Sequence, residues 1–159
     1  MLNLSYTLAD QNFRTAVSTG IYGLSVGLAN ALSQCEDVAH LSLFVNRHNA
    51  HQVTPPKNGS LSVYDLPVNS KVGRLLWDTW SLYQAARREG NEWLFLPKGY
   101  ASGCVRCPVK LAAYIHDLMP IIFADRYPDS FSKRKHFILR FFISQITNSN
   151  CGIRINFFL

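Results

Sequence analysis

His116 and Asp117 are the side chains in this chain best placed for chemistry, because they follow the apolar run Leu111 to Ile115 and precede Met119-Pro120. An imidazole titrates near neutral pH, so it can hydrogen-bond a hydroxyl or shift a proton. In an open α/β sheet the crevice beyond the carboxyl ends of the strands is where ligands bind, and a strand ending just before His116 would put it there. A lone histidine beside apolar residues is more often a satisfied structural group, so its role depends on the surrounding sheet. Asp117 can orient the ring, hold hydroxyls of an acceptor, or cap the turn that follows; the cap is the favoured reading.

The elements that must position this pair alternate along the chain. Leu2 to Leu8 reads as a buried strand that ends at Ala9-Asp10-Gln11-Asn12. Leu24, Leu28 and Leu32, with Ala31 beside them, fall on one face of a helix. Gly27 and Ala29 within that helix are small and are expected to allow close packing on a sheet. His40 to Val45 is a second strand and Ser60 to Leu66 a third, separated by an exposed loop from Arg47 to Gly59. From Val72 the positions Leu75, Leu76, Thr79, Tyr83 and Ala86 recur at helical spacing until Gly90 supplies a stop. Trp93 to Leu96 and Leu111 to Ile115 complete five strands, and a helix carrying Phe137, Ile138, Phe141, Phe142 and Ile146 follows a cap at Asp129 or Ser130. Strands alternating with helices predict an α/β, Rossmann-like, doubly wound and mainly parallel sheet with helices on both faces.

Composition sets the class around this pattern. A chain of 159 residues, 48% hydrophobic and 16% charged, makes one layered domain with a sizeable core and excludes a disordered or fibrous protein. Four scattered cysteines are no disulfide scaffold, and the N-terminus shows neither a secretory signal nor a membrane span, so a cytoplasmic protein with reduced thiols is expected. A formal charge of +6 admits phosphate, nucleic acid or acidic lipid as partner without choosing among them.

Three further groups of residues bear on binding. Ser18 to Gly23 reads as a loop in which Gly20 and Gly23 can take backbone angles denied to larger residues. The helix N-terminus beyond it favours anions. Gly20, Ile21, Tyr22 and Gly23 are therefore candidate substrate contacts, for a diphosphate or for acceptor hydroxyls, against the alternative of an ordinary strand-to-helix turn. Lys133, Arg134, Lys135 and His136, with Arg140 one turn on, interleave with Phe137, Phe141 and Phe142. That pattern suits contact with an anionic membrane surface, although a core face with a solvated charged side is the simpler account. Nucleic-acid binding ranks last for want of a motif. Cys104-Val105-Arg106-Cys107 has the spacing of a zinc knuckle or a redox pair but no convincing second ligand pair, which makes a plain loop the better reading and no metal the expectation.

Taken together, Thr19-Gly20-Ile21 before an amphipathic helix, Gly73-Arg74-Leu75-Leu76-Trp77, Leu96-Pro97, His116-Asp117-Leu118-Met119-Pro120 with Tyr127-Pro128, and Thr147-Asn148-Ser149 resemble the N-terminal domain of GT-B glycosyltransferases of family 4. The resemblance spans about residues 1–150, and the tail 151–159 is atypical. The chain departs from the family pattern at Tyr22, where a small residue is usual. The resemblance implies transfer of a hexosyl unit, such as mannosyl, from a nucleotide-sugar to a glycan or lipid-linked acceptor in polysaccharide or lipopolysaccharide synthesis. It further implies retention of configuration without metal or other cofactor, His116 against the transferred sugar, and work in the cytoplasm with peripheral contact at the inner face of the membrane. Donor binding in that family uses paired glutamates in a second domain, whereas Glu36, Glu89 and Glu92 do not form that pattern. The expectation is a truncated, acceptor-side half, inactive alone and lacking its C-terminal donor domain. The alternative is a non-catalytic Rossmann-like module for an anionic nucleotide, a lipid headgroup or a protein partner.

Overall fold

A computed structural model describes residues 1–11, 19–66, 70–98 and 107–114. Five strands, β1 (Leu2–Thr7), β2 (Val38–Asn46), β3 (Gly59–Tyr64), β4 (Trp93–Leu96) and β5 (Lys110–Ala113), form one sheet in the order β3-β2-β1-β4-β5. Every neighbouring pair is parallel. The expected Rossmann-like α/β architecture is present, and each predicted strand among these residues falls within two or three positions of its observed place.

Alternation along the strands sends side chains to two separate cores. Leu4, Tyr6 and Leu8 join Leu41, Leu43 and Val45 on one face, against Ala29 of helix α1 (Thr19–Gln34). Phe44, Leu94 and Leu96 point to the other face, against Trp77, Leu82, Tyr83 and Ala86. Helices therefore cover both faces, as a parallel sheet requires.

Helix α1 differs from expectation in where it starts and in what it buries. It begins at Thr19, so Gly20 to Gly23 belong to its first turns and not to a loop. Its buried face is Tyr22, Ser25, Ala29 and Ser33, while Leu24 is exposed. The serines can be buried because Ser25 Oγ and Ser33 Oγ each donate to a carbonyl one turn back, Ile21 O and Ala29 O, both at 2.8 Å. Small side chains thus set the close approach to the sheet, at Ala29 as expected but not at Gly27. Gly27 is exposed, and a Cβ there would meet nothing within 4 Å. Tyr6 Oη donates to Ser25 O at 2.7 Å, tying β1 to this face.

The segment between β2 and β3 is more ordered than an exposed loop. It holds a 3₁₀ turn, Ala50–Gln52, and buries Asn49 and Val53. Tyr22 Oη donates to Gln52 Oε1 at 2.9 Å, and Asn30 Oδ1 accepts from Thr54 N at 2.7 Å, so the segment is stitched to α1.

After β3, Ser70 caps α2 (Lys71–Leu76) by accepting from Gly73 N, and α3 (Leu82–Arg88) ends at Gly90 with φ +69°, the predicted stop. Between them lies a π turn, Trp77–Ser81, in which Leu82 N donates to Trp77 O. The extra residue carries the inward face from Trp77 to Leu82, a spacing of five that α-helical periodicity does not contain. Leu75 and Leu76, expected to face the core, are accordingly exposed, and Trp77 is buried.

Candidate functional site at the β1 and β4 strand ends

Chain order runs outward from β1 to β3 and then returns to β4 on the other side of β1, so the direction of winding reverses between β1 and β4. At such a reversal the connections leave for opposite faces and open a crevice at the carboxyl ends of the two strands. The loops that leave β1 and β4 carry Asp10 and Lys98.

Lys98 Nζ donates to Asp10 Oδ2 at 2.8 Å and to Asp78 Oδ1 of the π turn. The three side chains retain only 8%, 6% and 13% of their exposure for Lys98, Asp10 and Asp78. Two carboxylates face one ammonium, so the ionised cluster has surplus negative charge in a poorly hydrated place. Burial raises the Asp78 carboxyl above its ordinary value; Lys98 and, more weakly, Arg74 oppose that shift and Asp10 adds to it. Asp10 Oδ1 is buried and receives no hydrogen bond among the described residues.

The turn bearing Asp10 is fixed from β2. Asn46 Nδ2 donates to Ala9 O at 2.8 Å and Gln11 O at 2.6 Å, and Asn49 Nδ2 donates to Leu8 O at 2.7 Å and Gln11 O at 3.0 Å. Asn49 Oδ1 in turn accepts from Asn46 N at 2.9 Å. Two buried amides therefore satisfy the carbonyls of Leu8, Ala9 and Gln11, which lie where the chain leaves the β ladder. The π turn contributes Asp78 from the helix side, a use for irregular helix geometry that recurs at functional sites.

The predicted site residues are distributed differently. Gly20, Ile21 and Gly23 are exposed on α1, neither glycine has positive φ, and a Cβ on either would meet nothing within 4 Å. The rationale that larger residues are forbidden there does not hold. Tyr22 is turned inward onto Gln52. His116, Asp117, Lys133, Arg134, Lys135, His136 and Arg140, the helix proposed after residue 129 and the tail 151–159 all lie outside the described residues. Cys107 packs half-buried beside the second core, while Cys104 is outside the described set. Asp10, Asp78 and Lys98 escaped the sequence reading, although two of them carried the signal applied to His116: a charged side chain directly after an apolar strand.

Among the described residues, no group of three or more His, Cys, Asp or Glu side chains is placed to hold a metal ion, and no helix is long and apolar enough to cross a membrane. A cavity of about 170 Å³ beside Leu32, Cys35, Val38, Leu41, Pro56 and Lys57 lies at the amino end of the strands. It is smaller than the roughly 300 Å³ at which ligand pockets begin. The fold and the position of the charged cluster define a Rossmann-like α/β domain with a buried charged cluster at the carboxyl ends of β1 and β4. No protein-family model, curated protein or solved structure matches the chain.

Proposed function

We propose that the chain is the acceptor-side domain of a retaining glycosyltransferase, which moves a hexosyl unit such as mannosyl from a nucleotide-sugar to a glycan or lipid-linked acceptor. The donor-binding half lies on another domain, and His116 would approach the transferred sugar when the two close. The observation that carries the reading is the reversal of winding between β1 and β4, with a buried, hydrogen-bonding cluster at their carboxyl ends. A hydroxyl-rich acceptor finds acceptors and donors of hydrogen bonds there. The same cluster argues against the alternative, a module for an anionic nucleotide or lipid headgroup, because two carboxylates repel phosphate.

The test is a titration of the purified chain with neutral glycans and, separately, with nucleotide-sugars, together with an assay for hexosyl transfer. Glycan binding with negligible nucleotide-sugar affinity and no turnover is the expected result. Turnover by the isolated chain, or nucleotide-sugar affinity comparable to a complete transferase, would refute the assignment of this half. In a complete enzyme His116→Ala should abolish most activity; unchanged activity would remove His116 from the site.

A further inference from the structure

We infer that Asp10, Asp78 and Lys98 form the subsite that receives a neutral sugar hydroxyl, which donates a hydrogen bond to Asp10 Oδ1. This inference rests on the acceptor-side reading above and names the residues and ligand chemistry that it leaves open. Three observations carry it. The cluster stands at the reversal of winding, where the crevice forms. Its hydrogen bonding is one donor short: Lys98 Nζ bonds Asp10 Oδ2 and Asp78 Oδ1, whereas Asp10 Oδ1 is buried and receives nothing among the described residues. Finally, the turn that carries Asp10 is held in place independently of the charges, because Asn46 and Asn49 clamp the carbonyls of Leu8, Ala9 and Gln11 on either side of it.

The balance of charge selects the ligand. A phosphate arriving here meets two carboxylates whose shared ammonium is already engaged by both, and Arg74, the other cation that acts on Asp78, is the weakest of the influences on that carboxyl. A hydroxyl brings the missing donor and no charge, and a carboxylate is the stronger acceptor for it. Asp10→Asn keeps the shape of the side chain but removes the charge from the acceptor, and should weaken binding by at least about tenfold.

The experiment uses the full, isotope-labelled chain, with α-mannobiose as the neutral probe and guanosine diphosphate as the anionic one, followed by amide chemical shifts. Mannobiose should shift Asp10, Asp78 and Lys98, guanosine diphosphate should not, and Asp10→Asn should lose the mannobiose response. The inference is overturned if guanosine diphosphate perturbs these residues more than mannobiose does. It also falls if mannobiose perturbs only other residues, or if folded Asp10→Asn binds as well as the parent. Should Asp10→Asn fail to fold, as judged by thermal melting, the wild-type footprint decides the matter. Mannobiose binding at the cluster without hexosyl transfer in the presence of a donor domain would sink the transferase reading and leave the subsite standing. Transfer with an unresponsive cluster would do the reverse.

Discussion

Replacing Lys98 by Met tests whether the strand-end cluster is held together by charge. The substitution keeps the length of the aliphatic stem but leaves Asp10 and Asp78, 6% and 13% exposed, facing each other with no cation between them. Removing one partner of a buried ion pair costs about 3–5 kcal/mol because the remaining charge stays desolvated. For a chain of this size that corresponds to a fall in Tm of roughly 10 °C. Urea unfolding can be followed by the fluorescence of Trp77, which is 1% exposed and adjoins Asp78. The triple variant Asp10→Asn, Asp78→Asn, Lys98→Met removes all three charges together and should recover most of the loss, since neutral replacement of a whole buried cluster is often nearly neutral. A loss below about 1 kcal/mol for Lys98→Met would place the cluster in the class of solvated surface pairs and refute the reasoning.

Gly59→Ala should destabilise by at least about 2 kcal/mol, because Gly59 has φ +156° and a Cβ there would lie 1.9 Å from Leu41 O across the β2 to β3 ladder; an unchanged urea midpoint would contradict this. Ser5, Ser42 and Ser60 pair in one row across β1, β2 and β3, with Glu89 Oε2 accepting from Ser42 and Ser60 at 2.9 Å and Asn91 Nδ2 donating to Ser5 and Ser42 at 2.9 Å. Ser42→Ala should therefore cost about 1–3 kcal/mol and couple to Glu89→Gln in a double-mutant cycle, whereas additive losses would deny the network. At alkaline pH the sign follows from burial, which raises the Tyr6, Tyr22 and Tyr64 hydroxyls above their ordinary value. The folded state keeps protons that the unfolded chain releases, so stability is full below about pH 10 and falls as pH rises beyond it. Tyr6→Phe should flatten that fall, and an equally steep decline would show that Tyr6 is not its source.

Much of the framework was legible because burial on both faces leaves a strong local signal. Trp93 to Leu96 was read with its observed bounds, and Gly90 was read as the stop after α3. The misplaced helix faces have particular causes. In α1 the inward residues include Ser25 and Ser33, whose hydroxyls are satisfied by their own helix and so escape a search for apolar periodicity. In the α2 to α3 stretch, the π turn changes the spacing after Trp77, which makes Leu75 and Leu76 solvent-facing. Asn46 and Asn49 looked like loop residues because their function is to satisfy carbonyls 35 to 41 positions away, as with Asn46 to Gln11 and Asn49 to Leu8.

The sequence by itself determined an alternating α/β chain whose strands need cover on both sides, since apolar runs, caps and glycine stops act over a few residues. Only the tertiary structure decided that winding reverses between β1 and β4, because strand order depends on contacts that no local pattern encodes. It also brought Lys98 to Asp10, 88 positions away in sequence, and to Asp78 through a π turn. Charge pairing of this kind is set by distance in space, and that is why the most polar group at the crevice was the one the linear reading passed over.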